Sequence, residues 1–175
     1  MIYGVLLIVG IFVVPLVLLI WFVTRRANKR REARAASWGE LAQAWGGTFA
    51  MDRVACARGT HELHLEAALV SVMQASGSPY WSDGGTFTKA SLRSARQIGA
   101  SPAPTAVVMG EFAQQVPEAA QLSGFARIVI EPQGLAIVMD GSVTDLAQLH
   151  AAFTVLEAAE RIAATNGPFA IHPGR

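Results

Sequence analysis

The chain has 175 residues, of which 52% are hydrophobic and 15% charged, and 14 Lys+Arg against 13 Asp+Glu leave it at +1. This composition excludes disorder as the main state, and a single Cys excludes both an intramolecular disulfide framework and a four-cysteine zinc module. The hydrophobic excess calls instead for a membrane segment.

That segment stands at the start. Ile2 to Val23 are 22 consecutive residues with no ionisable side chain except the phenol of Tyr3. As a helix they reach about 33 Å, enough for a hydrocarbon core of roughly 30 Å. Tyr3 and Trp21 stand near opposite ends of the run, where amphipathic rings can lie at the headgroup level. No Lys or Arg precedes the run and no small-x-small site follows it, so a retained anchor is expected in preference to a cleaved signal peptide. Pro15 predicts a modest kink rather than a break, because lipid offers the chain no better alternative to helix.

Beyond the run, Arg25, Arg26, Lys29, Arg30, Arg31 and Arg34 face only Glu32. This asymmetry predicts a single-pass inner-membrane protein with its N-terminus outside and its C-terminus in the cytoplasm. Tyr3, Trp21, Arg25, Arg26, Lys29 and Arg30 are the expected anchor and interface residues, with the bilayer as partner and anionic lipid as an added attraction. From Ser37 onward 8 basic residues meet 12 acidic ones, the wrong sign for a nucleic-acid-binding domain.

Thr24 to Trp45 is rich in helix formers and lacks Pro, so the helix is expected to run on as a basic juxtamembrane segment to Gly46-Gly47. Ser37, with Glu40 three residues later, offers an alternative start for a separate helix. Trp38, Leu41 and Trp45 share one face, expected to pack on the domain's sheet, with docking to a partner as the alternative.

Residues 48–175 read as one cytoplasmic domain. Thr48 to Cys56, Glu62 to Met73 and Thr86 to Arg93 read as strands, punctuated by Gly59 and by the Gly/Ser/Pro-rich stretch that holds Tyr80 and Trp81. In the third of these, Thr86, Thr88, Ala90 and Leu92 alternate with Phe87, Lys89, Ser91 and Arg93, as in a half-exposed antiparallel strand. Thr105 to Phe112 reads as another strand and Pro117 to Leu122 as a short connector helix ended by Gly124. Phe125 to Glu131 and Leu135 to Asp140, joined by Pro132-Gln133-Gly134, read as a hairpin with a three-residue loop. Ser142 or Thr144 is expected to cap a helix to about Thr165, its stripe of Leu146, Leu149, Phe153 and Leu156 buried on the sheet. Phe153 and Leu156 are expected against Ile128, Ile130, Ile137 or Met139. The predicted class is α+β: one N-terminal transmembrane helix, then a mainly antiparallel sheet covered by a C-terminal helix.

Chemistry-bearing clusters are sparse. Cys56, His61 and His64 are the right ligand types for zinc or iron, but two histidines three apart on a strand point to opposite faces. As a Cys-His nucleophile pair they would need an exposed thiol in an electropositive pocket, and a core Cys is the simpler expectation. Asp52, Glu62, Glu66, Glu111 and Asp140 stand in no motif that sets a distance between carboxylates, and Asp83-Gly84-Gly85-Thr86 lacks the Lys and helix start of a phosphate loop. Arg53, Arg58, Arg93 and Arg96 flank strand ends, either as an anion site or as charges that blunt sheet edges. No catalytic, metal or cofactor-binding residue is therefore assigned and no cofactor is expected. The expected function is a non-catalytic accessory or structural subunit that contacts other membrane-protein subunits, with Trp38, Trp45, Tyr80 and Trp81 as possible contacts. Energy-transducing assemblies, respiratory or photosynthetic, are a natural host class because they gather small single-span subunits. A tethered module for a small anion or lipid headgroup and a Cys/His metalloenzyme or hydrolase are the alternatives.

Overall fold

A computed structural model describes residues 2–69, 86–95, 98, 104–122, 126–132 and 134–169, with side chains described from Phe12 onward except at Ala68 and Leu69. Two compact units divide the chain, Met1–Ala33 and Arg34–Arg175. The first helix, α1 (Ile2–Ala44), is continuous: Pro15 lies inside it, and Ser37 is a mid-helix residue rather than a cap. It stops where the glycines predict. Gly47 N–H donates to Ala42 O and Gly46 N–H to Gln43 O, with Gly46 at φ +65°, the paired bonds of a Schellman stop. Among the residues whose side chains are described, no helix is long and apolar enough to cross a membrane.

The second unit is α+β, a seven-stranded antiparallel sheet with a C-terminal helix. Its strands are β1 (Thr48–Ala50), β2 (Arg53–Arg58), β3 (His61–Leu69), β4 (Thr86–Ser94), β5 (Thr105–Val107), β6 (Ala126–Glu131) and β7 (Gly134–Asp140). They lie in the order β1-β2-β3-β4-β7-β6-β5, every neighbour antiparallel. The chain meanders from one edge to β4, moves to the far edge at β5, and returns to pair β7 with β4. Both edge strands have three residues, too short to invite pairing with another chain.

Several expectations shift in detail. Thr48 to Cys56 is not one strand but two, β1 and β2, turned at Met51 (φ 49°) and Asp52 (φ 60°). Two successive left-handed residues make the turn that matches strand twist, and it escapes notice because no glycine marks it. Gly59 does mark the β2–β3 turn, at φ +61°. β4 is not half-exposed: it is the central strand, with Phe87 and Ser91 buried on one face and Thr88, Ala90 and Leu92 on the other. Thr105 to Phe112 splits into β5 and a short helix α2 (Met109–Gln115), because Phe112 turns into the core from a helix. Pro117 opens a 3-10 turn to Gln121 as expected. The β6–β7 loop has two residues rather than three, since Gly134 pairs with Glu131. A Cβ at Gly134 would strike the Leu92 carbonyl oxygen, so glycine serves close strand approach there.

The last helix, α3 (Leu146–Asn166), is capped by Asp145, not by Ser142 or Thr144: its carboxylate accepts from Ala147 N–H at 3.0 Å. Leu149, Phe153 and Leu156 are fully buried and Leu146 partly, in one core with Ile128, Ile130, Ile137 and Met139. Trp38 and Leu41 of α1 complete that core. Trp38 Nε1 donates to Val143 O at 3.0 Å, while buried Thr88 donates to Gly141 O and accepts from Val143 N–H, both at 2.9 Å. One hydroxyl thereby satisfies the loop that aims α3 at the sheet, and the indole fixes α1 to the same loop. Val70 to Met73, Gly124 and Phe125 lie outside the described residues.

Candidate functional site

Strand parity settles the Cys/His cluster. Cys56 pairs with Leu63 and shares the buried face with Val54 and Leu65, whereas His64 lies on the other face beside Glu62, 3.0 Å from its carboxylate. His61 points with Leu63 toward α3, its Nδ1 3.9 Å from Glu160 and its Nε2 buried without a hydrogen-bond partner. The two histidines are thus on opposite faces, as a three-residue spacing on a strand dictates. No group of three potential metal ligands assembles among the described residues. Burial pushes the Cys56 thiol up, against a smaller opposite pull from the Arg58 charge. A thiol so placed is poorly nucleophilic.

The arginines do not gather. Arg53 faces Glu66 at 3.6 Å, Arg58 faces Glu157 of α3 at 3.2 Å, and Arg93 is exposed on the face opposite Arg58; Arg96 lies outside the described residues. Of the candidate carboxylates, Asp52 accepts from Arg34 at 2.9 Å and Asp140 from Arg127 at 2.8 Å. Lys89 of β4 and Glu131 of β6 join at 2.6 Å across the intervening β7.

Sequence reasoning missed one constellation, at the seam of α1, β2 and α3. Trp45 packs edge-on against Phe153 at 5.1 Å and donates its indole N–H to His150 Nδ1 at 2.8 Å. Indole nitrogen only donates, so His150 presents an unprotonated Nδ1 there. The Arg58 guanidinium lies over the Trp45 ring at 4.9 Å while bonded to Glu157. Each member is satisfied by another, so the seam binds elements together. The Trp45 and His150 positions are 105 residues apart, beyond any local pattern. Trp38, a suggested contact residue, is fully buried; Trp45 is partly buried; Tyr80 and Trp81 lie outside the described residues.

A second grouping belongs to the first unit. Trp21, Thr24, Arg25, Asn28, Lys29 and Glu32 line a shallow groove along one face of α1. Arg25 lies over the Trp21 ring at 4.9 Å from its centroid, and the Thr24 hydroxyl turns back to the Ile20 and Trp21 carbonyls. Of the interface residues expected from sequence, Trp21, Arg25 and Lys29 line this groove, Arg26 stands at its margin about 60° from Lys29, and Arg30 lies farther round the helix. The side chain of Tyr3 is outside the described ones. Comparison with protein-family models, curated proteins and solved structures finds no match to this chain.

Proposed function

We propose that the chain is a membrane-anchored accessory subunit, holding its α+β unit against the cytoplasmic face of a larger membrane-protein complex. One observation carries the reading: from Phe12 to Val23 the large apolar side chains of α1, without interruption by a charge, stand 47 to 69% exposed. A helix apolar all round requires lipid or protein about it, since no single face could be buried by packing on one side. The full apolar run, Ile2 to Val23, has spanning length, and the cations that follow it favour a cytoplasmic domain. The ion pairs and aromatic seam of the second unit support a structural role, because the cations and carboxylates along it are consumed by one another.

Carbonate extraction of membranes containing the tagged full-length chain tests the anchor, and release into the supernatant overturns it. Purification in mild detergent tests the subunit role. Recovery with stoichiometric membrane proteins supports it, and recovery as a lone monomer overturns it. Orientation is read from Gln148→Cys, an exposed position on α3, in a Cys56→Ala background. Labelling by an impermeant thiol reagent is expected only after cells are opened; labelling of intact cells reverses the topology.

A further inference from the structure

The groove on α1 has a chemistry that the anchoring role alone does not require. Trp21, Arg25, Asn28 and Lys29 recur at helical spacing, so their side chains converge on one face over about 12 Å of helix. Among the described residues neither Arg25 nor Lys29 forms an ion pair, in contrast to Arg34, Arg53, Arg58 and Arg127, each of which does. The Arg25 guanidinium is instead held over the Trp21 ring, an arrangement that orients its N–H fork without consuming it. Thr24 supplies no donor, since its hydroxyl already points into the helix. Glu32, three residues beyond Lys29, also lines the groove.

We propose that this face is a binding site for the phosphate of an anionic phospholipid headgroup. Arg25 and Lys29 donate to its oxygens, Asn28 adds an amide donor, and the Trp21 ring lies against the glycerol region. The site rests on the anchoring reading above. A lipid is the ligand, rather than a free anion, because Trp21, which lines the groove, also belongs to the exposed apolar stretch from Phe12 to Val23. Arg30 carries the same charge but lies about 100° round the helix from Lys29 and about 140° from Arg25, away from the groove, whereas Arg26 stands about 60° from Lys29 at its margin.

The test uses the full-length chain equilibrated in mixed micelles of phosphatidylglycerol and phosphatidylcholine, with the ratio of the two lipids retained read by native mass spectrometry. Arg25→Gln is expected to lower the preference for phosphatidylglycerol roughly fivefold, and Arg30→Gln, with the same loss of charge, less than about twofold. Equal losses in both variants would mean diffuse attraction, and no loss in either would mean no site; both overturn the proposal. Flotation with pure phosphatidylcholine vesicles, measured for every variant, separates the two readings. A wild-type chain that fails to float overturns the anchor and the site with it, whereas flotation with an unchanged lipid ratio overturns the site alone.

Discussion

Two stretches of one helix have opposite fates. From Phe12 to Val23, α1 is apolar on every side and its large side chains are exposed; from Trp38 to Ala42 it is amphipathic, with Trp38, Leu41 and Ala42 buried. Both are regular α-helix, so backbone propensity does not distinguish them. What differs is the angular distribution of apolar groups. A stripe at i, i+3 and i+4 can be buried by one sheet face, and a full cylinder cannot. The first stretch must therefore find its solvent elsewhere, while the second finds it within its own chain.

This contrast can be broken by substitution. The largest effect is expected at the buried end: Trp38→Ala or Phe153→Ala should each destabilise the second unit by about 3–5 kcal/mol in denaturant titration, since each fills a fully buried site. A cost below about 1 kcal/mol at Trp38 would show that its stretch belongs with the exposed one. Asp145→Ala removes the α3 cap and should cost about 1 kcal/mol by the same measurement. A shallower effect is tied to pH. Burial raises the Cys56 thiol, so the folded state holds that proton more tightly than the unfolded chain. The stability this confers is complete below the unfolded thiol value, about 8.5, and is lost as pH rises through the folded one. Wild type should lose stability relative to Cys56→Ala over that alkaline range, and parallel curves would refute the coupling. The smallest effect is expected at the exposed end: Leu18→Ala should shift unfolding of the second unit by less than about 0.5 kcal/mol.

The stop at Gly46-Gly47, the β6–β7 hairpin, the Pro117 turn and the apolar stripe of α3 were legible because each is a local pattern whose chemistry acts within a few residues. The Met51-Asp52 turn was not, because neither residue advertises a left-handed backbone. The helical state of Phe112 was not legible either, because a short apolar run has the same composition in strand and helix. The candidate site divides likewise. The cationic and aromatic residues that follow the apolar run were visible one by one, and helical spacing already implied that Trp21, Arg25 and Lys29 share a face. The seam of Trp45, Arg58, His150 and Glu157 was invisible, as its members come from three elements.

By itself the sequence determined the apolar run, the charge that follows it, and most element boundaries, all consequences of covalent order and side-chain period. Tertiary structure alone decided that β4 is central, that β7 rather than β5 pairs with it, and that His61 meets Glu160 of α3. Strand order and burial depend on which faces cover which, a choice made by packing over long chain separations that no local pattern encodes.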